Sequence, residues 1–273
     1  MPLFLYDLPN WLFGSLIVVC WAGVGLGGHA LFHRLCRVHF PEADRNLAIT
    51  LLAVVATVNS LLLAFSAISV WEAYGKAESA VSSEATVIGE LGRDLAVFGS
   101  PESRLARERL KAYARVVLAK EWPAMQGEQA SPPTWDAFEG MFRAVGDIRP
   151  ASPYQMTLMP EIWARVNEMI EYRHDRLEAA AGQVPATLWA VVLLGTLLTL
   201  LPSYVLPRTA FNRAAIGLLS VSMGLVFFFV AAMDRPFAGH ESVSPAPIVM
   251  TLGNMERWDT QTEALASAHL AAR

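Results

Sequence analysis

The chain has 273 residues, 54% of them hydrophobic and 17% charged, with a mean hydropathy of +0.36 and a formal net charge of −4. That is too apolar for a soluble domain, and it leaves no basic surface for nucleic acid. The two cysteines, Cys20 and Cys36, lie in or beside the first apolar stretch, so the polar part of the chain has no disulfide framework.

Four apolar stretches, 11–32, 47–71, 186–206 and 211–233, are each long enough to cross a bilayer, which takes about 20 apolar residues as a helix. Lipid offers backbone groups no partners, so each must be helical. No Lys or Arg precedes Trp11, whereas Asp7 does, so the first stretch is read as a retained span and not a cleaved signal. Arg34, Arg37 and Arg45 lie in the first connection, and Arg208 and Arg213 lie in the third. Basic short loops stay cytoplasmic. This predicts an inner-membrane protein with both termini and the middle segment outside, and Trp11, Trp71 and Trp189 near the outer interface.

Within the first span, Gly23-Val24-Gly25-Leu26-Gly27-Gly28 fits the letters of a dinucleotide fingerprint. That motif requires a preceding strand, which a membrane span excludes. Gly23-xxx-Gly27 instead predicts a small-residue face for helix packing. His29, His33 and Cys36 follow at i, i+4 and i+7, a feasible metal-ligand spacing with His39 beyond. His174, His240 and His269 are scattered, and interfacial histidine is the plainer reading, so no metal or other cofactor is expected.

The second span carries two polar stripes. Asn59 and Ser66 share one face, where interhelical hydrogen bonding is the plain reading. Thr50, Thr57, Leu61 and Phe65 lie nearly opposite, and Thr57, Leu61 and Phe65 are candidates to line a pore with a hydrophobic constriction. No span has a charge near its middle, which argues against an ion-coupled pump.

The middle segment reads as helices. Residues 72–98 continue the second span, and Ser100-Pro101 stops them. A helix over about 102–121 is closed by Pro123, a shorter one runs from Trp135 to Val145, and a long one covers about 158–181. Ala77, Val81, Ile88, Leu91 and Leu95 form one apolar face with Glu84 at its centre. Ile162, Val166, Met169, Ile170 and Leu177 form another, with Arg173 inside it. A buried charge needs a partner. Glu84, Arg173 and Tyr113 are therefore expected in one buried cluster, acting as a structural register lock or, on the sharper reading, as a gating or ligand site.

The fold expected is all-α. Residues 1–71 hold the first two spans and 72–184 a helical extramembrane domain inserted between the second and third spans. Residues 185–237 hold the last two spans, and 238–273 form a polar, poorly ordered C-terminal tail. No catalytic motif appears, so no enzyme is expected.

Across Asn59-Ser60-Leu61-Leu62-Leu63-Ala64-Phe65, Val70-Trp71-Glu72-Ala73-Tyr74, Ala77-Glu78, Glu84-Ala85 and Leu91-Gly92-Arg93, the chain resembles the bacterial bestrophin-like membrane proteins. Tyr113, Glu121-Trp122-Pro123, Asn167, Arg173, Arg176-Leu177, Leu188-Trp189, Asp234-Arg235-Pro236-Phe237-Ala238-Gly239 and Val243-Ser244-Pro245 extend the likeness. More distantly, the resemblance is to true bestrophins, which are pentameric anion channels (bacterial members can favour cations) with the second span lining the pore. It implies a homo-oligomer in membrane lipid, with ions as its partners. Leu63-Ala64-Phe65 is similar to the bestrophin Leu-Gly-Phe and would place Thr57, Leu61 and Phe65 at the neck. Two departures stand out: only Asp234 and Glu241 remain of the acidic calcium clasp, and the arginine bias puts the middle domain outside where bestrophins keep it in the cytosol. A non-conducting envelope sensor or scaffold, whose helical domain binds a partner, is the alternative.

Overall fold

A computed structural model describes residues 5–6, 8–36, 40–182 and 184–271, with side chains as far as Gln261. Asp7, Arg37, His39 and the His269 side chain lie outside the described residues. The described residues are mostly helical, with no strand among them.

Helix α1, Asn10–Leu35, contains a π turn at Gly23–Gly27. Helix α2, Glu42–Phe98, runs 57 residues without a break. It contains no proline, and Gly99 ends it at φ +76°, the left-handed position where lacking a Cβ matters. At about 1.5 Å per residue, α2 is far longer than the roughly 30 Å hydrocarbon core, so a large part of it lies outside that core.

Ser100 caps α3, Pro101–Val116, by accepting from the Ser103 N–H at 3.1 Å. This helix does not stop at Trp122: it passes through a π turn, Val117–Glu121, into Trp122–Gln126. Pro123 lies one residue past the π turn and does not close the helix, which continues to Gln126.

Then follow α4, Pro132–Gly146; α5, Pro153–Ala181; α6, Ala186–Leu200, with a 3₁₀ extension Leu201–Val205; α7, Ala210–Met233; and α8, Ala246–Ala271. The expected poorly ordered tail is thus corrected to a helix. It carries apolar residues at Ile248, Leu252 and Met255, spaced as on one helix face and all buried. Four helical runs are long and apolar enough to span a membrane: Asn10–Leu35, Glu42–Phe98, Pro153–Val205 and Ala210–Met233.

The chain divides into two compact units, Met1–Tyr74 with Gln183–Ser242, and Gly75–Gly182 with Val243–Arg273; the first boundary falls within α2. The first unit packs around Trp21, Leu63, Val192, Leu200, Met223 and Phe227. Helices α1 and α7 approach closely: a Cβ at Gly224 would come 2.9 Å from the Val18 Cα. Gly25 lies against Ser220 and Gly28 against Tyr204, whereas a Cβ at Gly23 or Gly27 would meet nothing within 4 Å among the described residues. The predicted Gly23/Gly27 packing face is therefore not the one used within this chain. The π turn begins at Gly23, and Gly25 and Gly28 face the neighbouring helices instead.

The second unit has its own core, in which Val81, Ile88, Leu91, Leu95, Leu110, Met141 and Ile162 are all fully buried.

Candidate functional site

Two places merit attention, one in each unit. The first is the transmembrane part of α2. Asn59 and Ser66 are buried on one side of it with Leu63 and Val70. Asn59 donates to the Thr196 hydroxyl at 3.3 Å, and its side-chain oxygen rests against Gly195 of α6. Ser66 satisfies itself on the Leu62 carbonyl at 2.9 Å. The other side is exposed: Leu47, Leu51, Val54, Val58, Leu61, Phe65 and Ile68 repeat at intervals of four and three residues, with Leu61 59% and Phe65 61% exposed. Thr57 joins this face, its hydroxyl turned back to the Ala53 carbonyl at 2.8 Å. The intrahelical bond removes the polarity an exposed hydroxyl would otherwise bring. What remains is a long uncharged stripe, suited to lipid or to another helix.

The second place is a buried charge cluster in the other unit. Glu84, Glu121 and Arg176 have no exposure and Arg173 has 5%. Arg176 donates to Glu84 at 2.5 and 3.2 Å and to Glu121 at 2.7 Å, with a further contact to the Met125 sulfur at 3.0 Å. Arg173 bonds to Glu121 at 2.5 and 3.3 Å and not to Glu84. The Tyr113 hydroxyl donates to Glu84 at 2.7 Å. The structure thus brings Glu84, Tyr113 and Arg173 together, but through Glu121 and Arg176, which inspection of the sequence missed. In the structure Arg176 falls in line with the other buried positions of α5, 162, 166, 169, 173, 176 and 180, a regular alternation of four and three. Two carboxylates against two guanidiniums make a neutral set, which is the condition for burying charge at tolerable cost. The guanidiniums also stand over aromatic rings, Arg173 5.4 Å from Trp135 and Arg176 5.9 Å from Trp122. Burial, reinforced by the Glu84 carboxylate, holds the Tyr113 phenol well above its ordinary value near 10.

The histidines of α1 both turn Nε2 to one acceptor, the Leu206 carbonyl, His29 at 2.9 Å and His33 at 2.8 Å. Cys36 is exposed, and among the described residues no three His, Cys, Asp or Glu side chains gather as a metal site. After α7, the Asp234 carboxylate accepts from the Val184 N–H at 2.9 Å, and the Arg235 guanidinium lies 5.5 Å from the Tyr6 ring. Glu241 accepts from Asn10. Asp234 and Glu241 are thus each bonded to a group of this chain.

The model of the Bestrophin-like domain matches residues 19–248. The chain belongs to the bestrophin-like family. Solved structures agree in fold: a bacterial bestrophin homologue from Klebsiella pneumoniae carrying the mutation L177T matches with a TM-score of 0.63 at 15% identity, covering 91% of this chain and 97% of that one. The same homologue phased on zinc matches with a TM-score of 0.63 at 14% identity, over 90% and 96% of the two chains. No curated protein matches. Membership of this family and the four apolar helices together make this bestrophin-like chain a membrane-embedded protein.

Proposed function

We propose that this bestrophin-like protein is a homo-oligomeric ion channel, a pentamer by resemblance, with α2 lining the pore at Thr57, Leu61 and Phe65. The observation that carries this reading is the two-sidedness of α2. Asn59 and Ser66 are closed against the chain's own core, while an uncharged stripe containing Leu61 and Phe65 is left uncovered. Rings of bulky apolar side chains at a constriction gate by dewetting. One copy has too few helices to enclose α2, so conduction requires several. The helical segment 72–184 is inserted between the second and third spans, and the basic short loops favour an inner-membrane orientation with that segment outside.

Purified protein in planar bilayers tests the reading. Conductance is expected, and Leu61→Ala or Phe65→Ala should widen the constriction and raise it. No conductance from wild type and both variants, or a monomer by native mass measurement, overturns it. Sidedness is read with a single cysteine. Ser131 is buried at 6% exposure, so exposed Gln129 is the position to use, in a background where the exposed Cys20 and Cys36 are replaced by alanine. Labelling of Gln129→Cys in intact cells by an impermeant thiol reagent is expected for an external domain.

A further inference from the structure

The uncovered stripe of α2 ends on a charge. At about 100° of turn per residue, Leu61 and Phe65 stand about 40° apart, and Glu72 falls midway between them, about 10 Å beyond Phe65 along the axis. Leu47, Val54, Val58 and Ile68, all exposed, lie within about 40° of the same line. Between Arg45 and Glu72 no residue of α2 is charged. The other charged residues that α2 gives to the first unit, Glu42, Asp44 and Arg45, are turned about 80° or more from that line. Glu72 is exposed, and among the described residues its carboxylate has no hydrogen-bond or ion-pair partner. Trp71 beside it is 59% exposed and stacks on Phe229 of α7, with ring centroids 6.4 Å apart. An amphipathic ring of this kind is the common anchor at a membrane–water interface. A carboxylate at that level keeps its water, which one at mid-span could not. Lys76, four residues on, is exposed too and is not ion-paired with Glu72.

We propose that Glu72 is the residue that sorts ions by sign in this protein, and that it makes monovalent cations the permeant class. The inference rests on the reading of α2 as the pore helix of a homo-oligomer. In that arrangement each copy adds one carboxylate to a ring at the mouth of the apolar constriction. Nothing else on the stripe tells a cation from an anion: its apolar side chains carry no charge, and the Thr57 hydroxyl is already given to the Ala53 carbonyl. A ring of one sign at a narrow mouth with low-dielectric walls gathers counter-ions and repels ions of its own sign, by about tenfold or more. Because the Glu72 carboxylate is exposed to water, it acts on hydrated ions through charge and not through a fitted cage, so Na⁺ and K⁺ pass nearly alike.

The test is the reversal potential of the full chain in planar bilayers under a KCl gradient. Wild type is expected to pass K⁺ over Cl⁻ by about tenfold or more, and less steeply as salt is raised on both sides. Glu72→Asp, which keeps the charge, should keep the preference, and Glu72→Gln should bring the ratio down to about one. Glu72→Cys, in a background with Cys20 and Cys36 replaced by alanine, gives a second measurement on one folded preparation. A negatively charged methanethiosulfonate should restore the cation preference, and a positively charged one should turn it towards anions. A conducting wild type that prefers Cl⁻, or whose ratio is unmoved by Glu72→Gln and by both reagents, overturns the proposal and leaves the channel reading standing. So does a larger shift from Lys76→Gln than from Glu72→Gln. No conductance from any of these proteins removes both readings.

Discussion

Replacing Arg176 with methionine takes away the centre of the buried cluster. Its guanidinium is fully buried and bonds to both Glu84 and Glu121. Without it, two buried carboxylates share one remaining cation, Arg173, which contacts only Glu121 of the two. Breaking a buried ion pair by deleting one partner costs about 3–5 kcal/mol, and the loss of contacts to two carboxylates argues for the upper half of that range. At roughly 2–4 °C per kcal/mol, the melting temperature of this unit should fall by about 8–20 °C. Thermal unfolding in detergent, followed by tryptophan fluorescence, reads the change, because Trp122 and Trp135 lie directly under the two guanidiniums. The double variant Glu84→Gln/Arg176→Met removes the orphaned charge together with its partner. It should be more stable than Arg176→Met alone, while breaking the exposed Arg143–Glu139 pair should cost no more than about 1 kcal/mol. A melting temperature for Arg176→Met within a degree or two of wild type, or a double variant less stable than the single, refutes the reasoning.

Gly224→Leu should destabilise the membrane unit strongly, because even its Cβ meets the Val18 backbone at 2.9 Å, whereas Gly23→Ala and Gly27→Ala should leave monomer stability unchanged or slightly higher; detergent-resistant melting separates them. The phenol of Tyr113 stays protonated in the fold above the pH at which an unfolded tyrosine ionises, so unfolding releases a proton there and stability is lost as pH rises. Its contribution should decline by up to about 1.4 kcal/mol per pH unit above roughly pH 10, and Tyr113→Phe should flatten that slope in melts taken between pH 9 and 11.5.

Composition and hydropathy made the four spans plain, because lipid demands long apolar runs whatever their neighbours. Glu84 and Arg173 were legible for a similar reason: a charge on an otherwise apolar face has nowhere polar to go. Their actual partners were harder to see. Arg176 was hidden because Leu177 beside it seemed to continue the apolar face, and the true alternation of four and three emerges only with the whole of α5. On α1, which contains a π turn, Gly25 and Gly28, and not Gly23 and Gly27, take the close contacts made within this chain. The tail was misread because its polar composition outweighed a seam of only three apolar residues.

Glu121 was missed for a reason that can itself be tested. Tyr113, Val117, Glu121 and Met125 are all essentially buried at strict four-residue spacing. An α-helix turns about 100° per residue, so each such step drifts by about 40°, and Glu121 would sit roughly 80° from Tyr113 on the flank of α3. The π turn Val117–Glu121 widens the helix there and absorbs the drift. Two causes compete for it. Pro123 has no N–H to give the Ala119 carbonyl, which forfeits one hydrogen bond worth about 0.5–1.5 kcal/mol. Straightening the helix would instead pull Glu121 from Arg173 and Arg176, a loss of about 3–5 kcal/mol. The ion pairs therefore win, and the π turn belongs to the cluster rather than to the proline. Pro123→Ala should keep the π turn and change stability by no more than about 1 kcal/mol, the scale of the added freedom of the unfolded chain. Glu121→Gln should cost several times that, measured as melting temperature under the same conditions. Equal losses from the two substitutions would return the π turn to Pro123 and leave the burial of Glu121 a consequence of local backbone chemistry.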